Sequence, residues 1–201
     1  MPRILLILHI LNRPCRANIL GSCNGLLLIK VKDRKHYYNN EDYFLWNPSI
    51  NKCMKICGLE SNQHSGEEYV LSGLGYRSTT DNYKAVVISK YVSPPGSPIS
   101  GFNFESTNFS VYNFNRNSWR HMRREFPYTF LYSRIGVTVK GAPHWVVWSV
   151  LHNSVVYVIV YFDLGKEEFR EVPLPDWLPE AEYAKIELGS GILDGCLCIT
   201  R

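Results

Sequence analysis

The chain has 201 residues, of which 45% are hydrophobic and 20% charged, and this ordinary globular composition excludes disorder as its native state. The net charge of +4 is too small for the strong basic stripe of a nucleic-acid binder, so we expect no nucleic acid among its partners. Aromatic residues make up 13% of the chain, and their rings favour half-buried pleated surfaces, which indicates β structure.

The first 18 residues contain an apolar stretch that superficially resembles a secretory signal. His9 interrupts that stretch, and Arg13 and Arg16 stand where the small residues of a cleavage site belong. The stretch is also shorter than the roughly 18 residues that span a bilayer. We therefore expect residues 1–18 to be an N-terminal segment or a first β-strand, with no membrane contact.

A first series of turn-forming pairs, each flanked by apolar runs, recurs along the chain. Counted at the second residue of each pair, the spacings are 57, 59 and 54 residues. Asn-Gly and Asp-Gly supply the positive φ angles of a two-residue hairpin turn, so the series predicts tight hairpins. The pairs are Asn24-Gly25, Asp81-Asn82, Lys140-Gly141 and Asp194-Gly195.

A second series of longer hairpins alternates with the first, over residues 44–56, 110–122 and 160–172. Each begins with an apolar strand, continues through Asn or Asp into four or five polar or turn residues, and ends in a strand with large residues at alternate positions. The turns begin at Asn47, Asn113 and Asp163. This alignment also places Cys53, Trp119 and Phe169 at one common position.

Four strands in each unit of about 50–60 residues are typical of a β-propeller blade. We therefore predict an all-β fold, a partial kelch-like β-propeller of about three and a half four-stranded blades. A β-sandwich is the alternative, since it also contains many short strands. A sandwich does not explain a repeat that returns three times with its internal spacing retained.

In such blades the short turns lie on one face, and the long connections lie on the opposite face. We expect connections near residues 32–42, 57–71, 90–107, 123–133, 149–154 and 173–187. Tyr, Trp, Phe and Arg are enriched at interface hot spots, which makes this face the candidate partner-binding surface. The alternative for each ring is that it only covers the core of its own loop. The candidates are Tyr37, Tyr38, Tyr91, Phe102, Phe104, Arg123, Arg124, Phe126, Tyr128, Tyr132, Trp177 and Tyr183.

Patterns that imitate catalytic or metal sites lack the context that such sites need. Cys23 lies between two glycines as in a nucleophile elbow, but a strand pattern follows it where a helix is required. Cys53 and Cys57 lack the second ligand pair of a structural zinc site. The carboxylates near Asp163 fall in a hairpin turn, where acidic residues are ordinary. We expect a non-enzymatic protein with no cofactor and no metal.

Seven segments, in order and with family-like spacing, resemble the F-box-associated domain of plant F-box and F-box/kelch proteins. The resemblance covers residues 19–201. The segments are ILGSCNGLLLI at 19–29, YFLWNPSINKCMKI at 43–56, GLGYRSTTDNYKAVVI at 73–88, SVYNFNRNSWRHM at 110–122, GVTVKGAPHWVV at 136–147, VIVYFDLGKEEFREVPLP at 158–175 and GSGILDGCLCI at 189–199.

The resemblance implies the substrate-recognition part of an SCF-type ubiquitin ligase, which binds a protein target and has no catalytic residues. We expect no F-box in residues 1–18, so binding to a Skp adaptor is expected only if an F-box lies upstream. A further hairpin is due near residue 217, so we expect a domain truncated at its C-terminus. Its open strand edges should make the isolated chain aggregate or dimerise.

Two other functions remain open at this level. The first is a degenerate fragment without ligase function. The second is a secreted lectin-like or hydrolytic β-protein, which only the apolar amino terminus supports. The six cysteines, in a chain too long to need disulfide bonds, favour a reducing compartment instead, and we expect a cytoplasmic or nuclear location.

Overall fold

The structure is a computed structural model that describes residues 15–33, 41–56, 67–92, 105–123, 126–130, 134–151, 154–174 and 189–200. Within these ranges the regular elements are fifteen strands and a single three-residue 3-10 turn. No helix in the described ranges has the length and apolar character that crossing a bilayer requires.

The first sheet is an antiparallel meander of four strands, which we call blade 1. Its strands are β1 (Cys15–Cys23), β2 (Leu26–Asp33), β3 (Glu41–Asn47) and β4 (Lys52–Ile56).

Blade 2 repeats this meander and adds a short fifth strand. Its strands are β5 (Glu67–Arg77), β6 (Asn82–Val92), β7 (Glu105–Asn113), β8 (Ser118–His121) and β9 (Arg134–Ile135). The added strand β9 runs parallel to β5, with Arg134 opposite Leu71.

Blade 3 is again a four-stranded antiparallel meander, and a two-stranded sheet follows it. Blade 3 consists of β10 (Val137–Val139), β11 (Ala142–Leu151), β12 (Ser154–Asp163) and β13 (Glu168–Val172). The two-stranded sheet, which we call the half blade, consists of β14 (Gly189–Leu193) and β15 (Cys196–Thr200). The prediction of an all-β partial propeller with about three and a half blades is confirmed, and the sandwich alternative is wrong because successive sheets are separate meanders.

Three of the four turns in the first series have the geometry that their sequences predict. Both central residues of each turn have positive φ, which a two-residue turn requires if its twist is to match that of the flanking strands. The φ values are 49° and 76° at Asn24 and Gly25, 49° and 81° at Lys140 and Gly141, and 49° and 74° at Asp194 and Gly195.

The connection between β5 and β6 differs from this prediction. It contains four residues, because a 3-10 turn over Ser78–Thr80 precedes Asp81, which has φ of 44°. The hydroxyl of Tyr76 donates to Oδ1 of Asp81 at 2.8 Å and holds this longer turn. Asn82 is therefore the first residue of β6 and not the second residue of a turn.

The three turns of the second series share one detailed conformation. The side-chain Oδ1 of Asn47, Asn113 or Asp163 accepts backbone N–H groups two or three residues later. The fourth residue after each has positive φ, with values of 52°, 50° and 54° at Asn51, Asn117 and Glu167. The common position of Cys53, Trp119 and Phe169 is also seen in the register, opposite Trp46, Tyr112 and Phe162.

The long strands β5, β6 and β11 extend further than the sequence predicted. β5 begins at Glu67 and β6 continues to Val92, with pairing across the whole length. The predicted connections at 57–71, 90–107 and 149–154 are correspondingly shorter. Glycine, serine and lysine near the strand ends concealed this pairing, since they weaken the alternation of polar and apolar residues.

The apolar core lies mainly between blades. One cluster, containing Leu28, Leu74 and Ala85, joins blade 1 to blade 2. A larger cluster, containing Trp145 and Phe162, joins blade 2 to blade 3. Burying each such large side chain contributes roughly 1.5–3 kcal/mol, so the blades stabilise one another and not only themselves.

Candidate partner-binding face

The meanders give the molecule two different faces. We call turn face the end of the sheets that carries residues 24–25, 48–51, 78–81, 114–117, 140–141, 164–167 and 194–195. We call loop face the opposite ends of the strands, where β2, β4, β6, β8, β11 and β13 end. Because neighbouring strands of each meander are antiparallel, every connection other than the short turns leaves from the loop face.

Hydrogen bonds between neighbouring blades connect residues of the turn face to one another. The amide N–H of Tyr76 in blade 2 donates to the carbonyl of Gly141 in blade 3 at 2.8 Å. Nζ of Lys84 lies 2.7 Å from the carbonyl oxygen of Leu164 and 2.6 Å from Oε1 of Glu167. Glu167 also pairs with Arg120 of blade 2. Many polar groups of this face therefore already have partners within the chain.

The structure describes only some of the predicted interface residues. Tyr91 lies in β6 and not in a connection, since β6 extends to Val92. Eight of the candidates lie outside the described residues. They are Tyr37, Tyr38, Phe102, Phe104, Arg124, Tyr132, Trp177 and Tyr183.

Phe126 and Tyr128 both pack within the fold, Phe126 as a buried ring and Tyr128 as a partly exposed one. The ring of Phe126 is only 9% exposed and packs against Phe169, with ring centroids 4.9 Å apart. The hydroxyl of Tyr128 donates to Oε1 of Glu171 at 3.0 Å. Burial, together with this hydrogen bond, raises the pKa of Tyr128 to about 12. Arg123, directly after β8, is exposed.

Residues 126–130 form a strap across blade 3. The amide N–H of Thr129 donates to the carbonyl of Trp148 at 2.7 Å, and the return bond measures 2.9 Å. Farther along the same connection, β9 pairs with β5 of blade 2. The described parts of the connection between blades 2 and 3 are therefore hydrogen-bonded to both blades.

A cleft of about 570 Å³ lies at the loop-face end of β1 and β5. Its lining includes three cationic side chains, from Arg16 in β1, Lys30 in β2 and Arg134 in β9. The sequence did not predict this group, because its members are far apart in the chain. The alternation of polar residues in β1 and β2 is the signal that could have indicated it.

Two potential nucleophiles among the described residues, Cys23 and Ser110, lie in surroundings that do not favour reaction. Cys23 lies at the end of β1 before a two-residue hairpin turn, and burial raises the pKa of its thiol to about 11, so it stays protonated at neutral pH. Oγ of Ser110 lies 2.9 Å from Nδ1 of His121, but Ser110 is fully buried and no substrate can reach it.

Comparison with known proteins gives the fold a family. Residues 3–190 match the family described as "F-box associated beta propeller domain". F-box protein CPR1 of Arabidopsis thaliana is 28% identical over 205 residues, which cover 95% of this chain and 47% of that protein. An F-box/kelch-repeat protein of the same plant is 25% identical over 160 residues, which cover 78% of this chain and 38% of the relative.

A further Arabidopsis thaliana F-box protein is 26% identical over 196 residues, covering 90% of this chain and 43% of the relative. The chain thus spans less than half of the length of each of these three curated relatives. The resemblance recognised in the sequence is confirmed.

Proposed function

We propose, because this chain belongs to the family of F-box associated β-propeller domains, that it is a non-enzymatic module that binds a protein target for an SCF-type ubiquitin ligase. The names of its relatives, F-box and F-box/kelch-repeat proteins, support this role. Contact with a Skp-type adaptor is proposed only for a protein in which the module is joined to an F-box.

The observation that carries the proposal is the contrast between the two faces. The turn face consists of short turns whose polar groups bond to one another across the blades, as between Lys84 and Glu167. The loop face receives the long connections and contains the cationic cleft. A rigid scaffold that presents variable connections on one side is the usual arrangement of a protein-recognition surface.

A cytoplasmic or nuclear location is part of the proposal. The cysteines whose side chains are described, Cys23, Cys53, Cys196 and Cys198, are free thiols. Free thiols are ordinary in reducing compartments, whereas secreted proteins tend to pair them.

The proposal can be tested by quantitative affinity purification from plant extract treated with a proteasome inhibitor. The bait is the full chain, as wild type, as Arg123→Glu on the loop face, or as Lys140→Glu on the turn face; both side chains are exposed. We expect a set of proteins that wild type and Lys140→Glu recover equally and that Arg123→Glu recovers at least threefold less.

The proteins in that set should also accumulate in plants in which the gene has been disrupted. Recovery that falls equally in both variants, or target levels that do not change in the disrupted line, would contradict a role in target recognition for degradation.

A further inference from the structure

A pocket of about 230 Å³ lies on the turn face, where blade 2 meets blade 3. Its lining includes two cationic residues, Arg77 and Lys140. Arg77 is the last residue of β5 in blade 2, and Lys140 lies in the turn between β10 and β11 of blade 3. The contact between the two blades therefore brings together cations that are 63 residues apart in the chain.

The strand pattern and one glycine of blade 3 place the side chain of Arg77 in this pocket. Two residues earlier, Gly75 faces blade 3, since an added Cβ there would lie 2.8 Å from Cδ1 of Leu164. Alternate residues of a strand share a face, so Arg77 also points toward blade 3. Its guanidinium lies against Gly165, where an added Cβ would be 2.8 Å from Cζ of Arg77. Glycine at position 165 thus leaves the space that the guanidinium occupies.

Backbone hydrogen bonds fix the two sides of the pocket relative to each other. The amide N–H of Tyr76 in blade 2 donates to the carbonyl of Gly141 in blade 3 at 2.8 Å. Arg77 directly follows Tyr76, and Lys140 directly precedes Gly141. The backbone positions of the two cations are therefore set by the contact between the blades.

The charges of Arg77 and Lys140 have no carboxylate partner in the described ranges. Neither side chain makes a hydrogen bond or an ion pair there. Asp163 lines the same pocket, but its own charge is already compensated. Its Oδ1 accepts the amide N–H of Gly165 at 2.8 Å, and its Oδ2 lies 3.7 Å from Nε of Arg170. Two positive charges at the pocket therefore remain to be matched by a ligand.

Further cations beside the pocket add to this positive charge. Burial lowers the pKa of Lys84, and three neighbouring guanidinium groups lower it further against an opposing effect of Asp163. The carboxylate of Glu167 is shared between Lys84 and Arg120. This end of the contact between blades 2 and 3 thus carries more positive than negative charge, which an anion would offset. The three guanidinium groups are those of Arg120, Arg77 and Arg116.

The charge and the size of the pocket define the class of ligand. A phosphate monoester carries a charge of about −1.5 to −2 at pH 7, which matches two cations, whereas a carboxylate offers a single charge. Pockets for drug-sized ligands have roughly 300–1,000 Å³, so about 230 Å³ suits a phosphate with a short organic group. Ser78 also lines the pocket, and its hydroxyl group is a further potential donor.

We propose that this pocket binds the phosphate group of a small phosphorylated metabolite, between the guanidinium of Arg77 and the ammonium group of Lys140. The bound phosphate connects blade 2 to blade 3 on the turn face. The inference goes beyond the proposed function and does not depend on it, because protein targets are proposed to bind at the opposite, loop face.

The test titrates the full chain with ribose 5-phosphate and measures binding by isothermal titration calorimetry. The pocket variant is Arg77→Gln/Lys140→Gln. The matched variant, Lys52→Gln/Arg123→Gln, removes the same charges at exposed positions that do not line the pocket. We expect wild type and the matched variant to bind equally, with one ligand per chain, and the pocket variant to bind at least tenfold more weakly. Circular dichroism of the three proteins should coincide.

A further variant, Gly165→Ala, retains every charge and displaces the guanidinium. The added Cβ would take the space at Cζ of Arg77, whose flexible side chain has to move away. We expect this variant to bind ribose 5-phosphate at least threefold more weakly than wild type. Binding as tight as that of wild type would contradict the assigned position of the phosphate.

Competing molecules distinguish the source of the phosphate. Inorganic phosphate should compete with ribose 5-phosphate, free ribose should not, and a phosphoserine peptide should bind more weakly because the pocket is small. Equal binding by wild type and the pocket variant, no binding by wild type, or tighter binding of the phosphoserine peptide would overturn the inference. Target recovery from plant extract is measured separately with Arg123→Glu, so either proposal can fail without the other.

Discussion

The two complete interfaces between neighbouring blades differ at their loop-face ends. Between blades 2 and 3, one apolar cluster extends to Phe126 and Phe130, which lie in the connection that leaves the loop-face end of β8. Between blades 1 and 2, the corresponding end opens into the cationic cleft of Arg16, Lys30 and Arg134. The same succession of strands can therefore produce either a closed core or an open cleft, depending on a few alternate positions in the loop-face half of a strand.

Breaking the closed interface should have the largest effect. Trp145 is 1% exposed, contacts the ring of Phe169 and donates to the carbonyl of Ser72. We expect Trp145→Ala to lower the free energy of unfolding by about 3–5 kcal/mol, because it leaves a large cavity and removes one of the two hydrogen bonds to the carbonyl of Ser72. Urea denaturation followed by circular dichroism measures this loss.

The matched control for that measurement is Met54→Ala, at a side chain that is 50% exposed, with an expected change of less than about 0.5 kcal/mol. A loss below about 1 kcal/mol for Trp145→Ala would mean that the two blades are held together in another way.

Separating blades 1 and 2 should have an intermediate effect. A Cβ atom on Gly21 of β1 would lie 2.5 Å from the backbone nitrogen of Leu74 in β5, so the two strands would have to move apart. We expect Gly21→Ala to lower the free energy of unfolding by roughly 1–3 kcal/mol through overpacking.

The control for Gly21 is Gly191→Ala, since a Cβ there meets no atom within 4 Å. Thermal unfolding of the two variants should differ by several degrees. If Gly191→Ala is the more destabilising, the close approach of β1 and β5 is not what limits position 21.

The smallest effect is expected from a substitution of Asp163, in the turn of blade 3 that is equivalent to the Asn47 turn of blade 1. Backbone N–H bonds, first from Lys166 and then from Gly165, outweigh partial burial and hold the pKa of Asp163 below its usual value of 3.8. A carboxylate with a lowered pKa in the folded state stabilises the fold above pH 3.8, and this contribution is lost as the pH falls through the lowered value.

Asp163→Asn retains an Oδ1 acceptor, as Asn47 has in the equivalent turn of blade 1. We therefore expect a change of less than about 0.5 kcal/mol at pH 7 and a smaller loss of stability on acidification than in wild type. Urea midpoints measured between pH 7 and pH 3 provide the comparison. Parallel acid profiles of the two proteins would show that Asp163 does not contribute in this way.

The repeat made the fold predictable, and the local chemistry of the turns explains why. Asn-Gly and Asp-Gly define a two-residue turn almost without context, and Asn47, Asn113 and Asp163 mark the longer turns through bonds to nearby N–H groups. The turn before Asn82 was predicted wrongly, since the bond from Tyr76 to Asp81 depends on the strands that flank it.

The candidate site was less predictable because it depends on distant parts of the chain. Composition alone cannot distinguish a ring that packs in a core, such as Phe126, from one that faces a partner. Nor can it predict β9, whose two residues acquire a strand conformation only by pairing with β5. Arg134 therefore joins Arg16 at the cleft through tertiary structure and not through any local pattern.

Glu167 occupies a backbone position that recurs in each blade, and its side chain also contacts the preceding blade. It has φ of 54°, where blades 1 and 2 have the asparagines Asn51 and Asn117, which tolerate that conformation better. Its carboxylate contacts Lys84 and Arg120 of the preceding blade. This turn therefore connects two neighbouring blades. Exchanging whole blades among such proteins would remove these ion pairs even if every hairpin still formed.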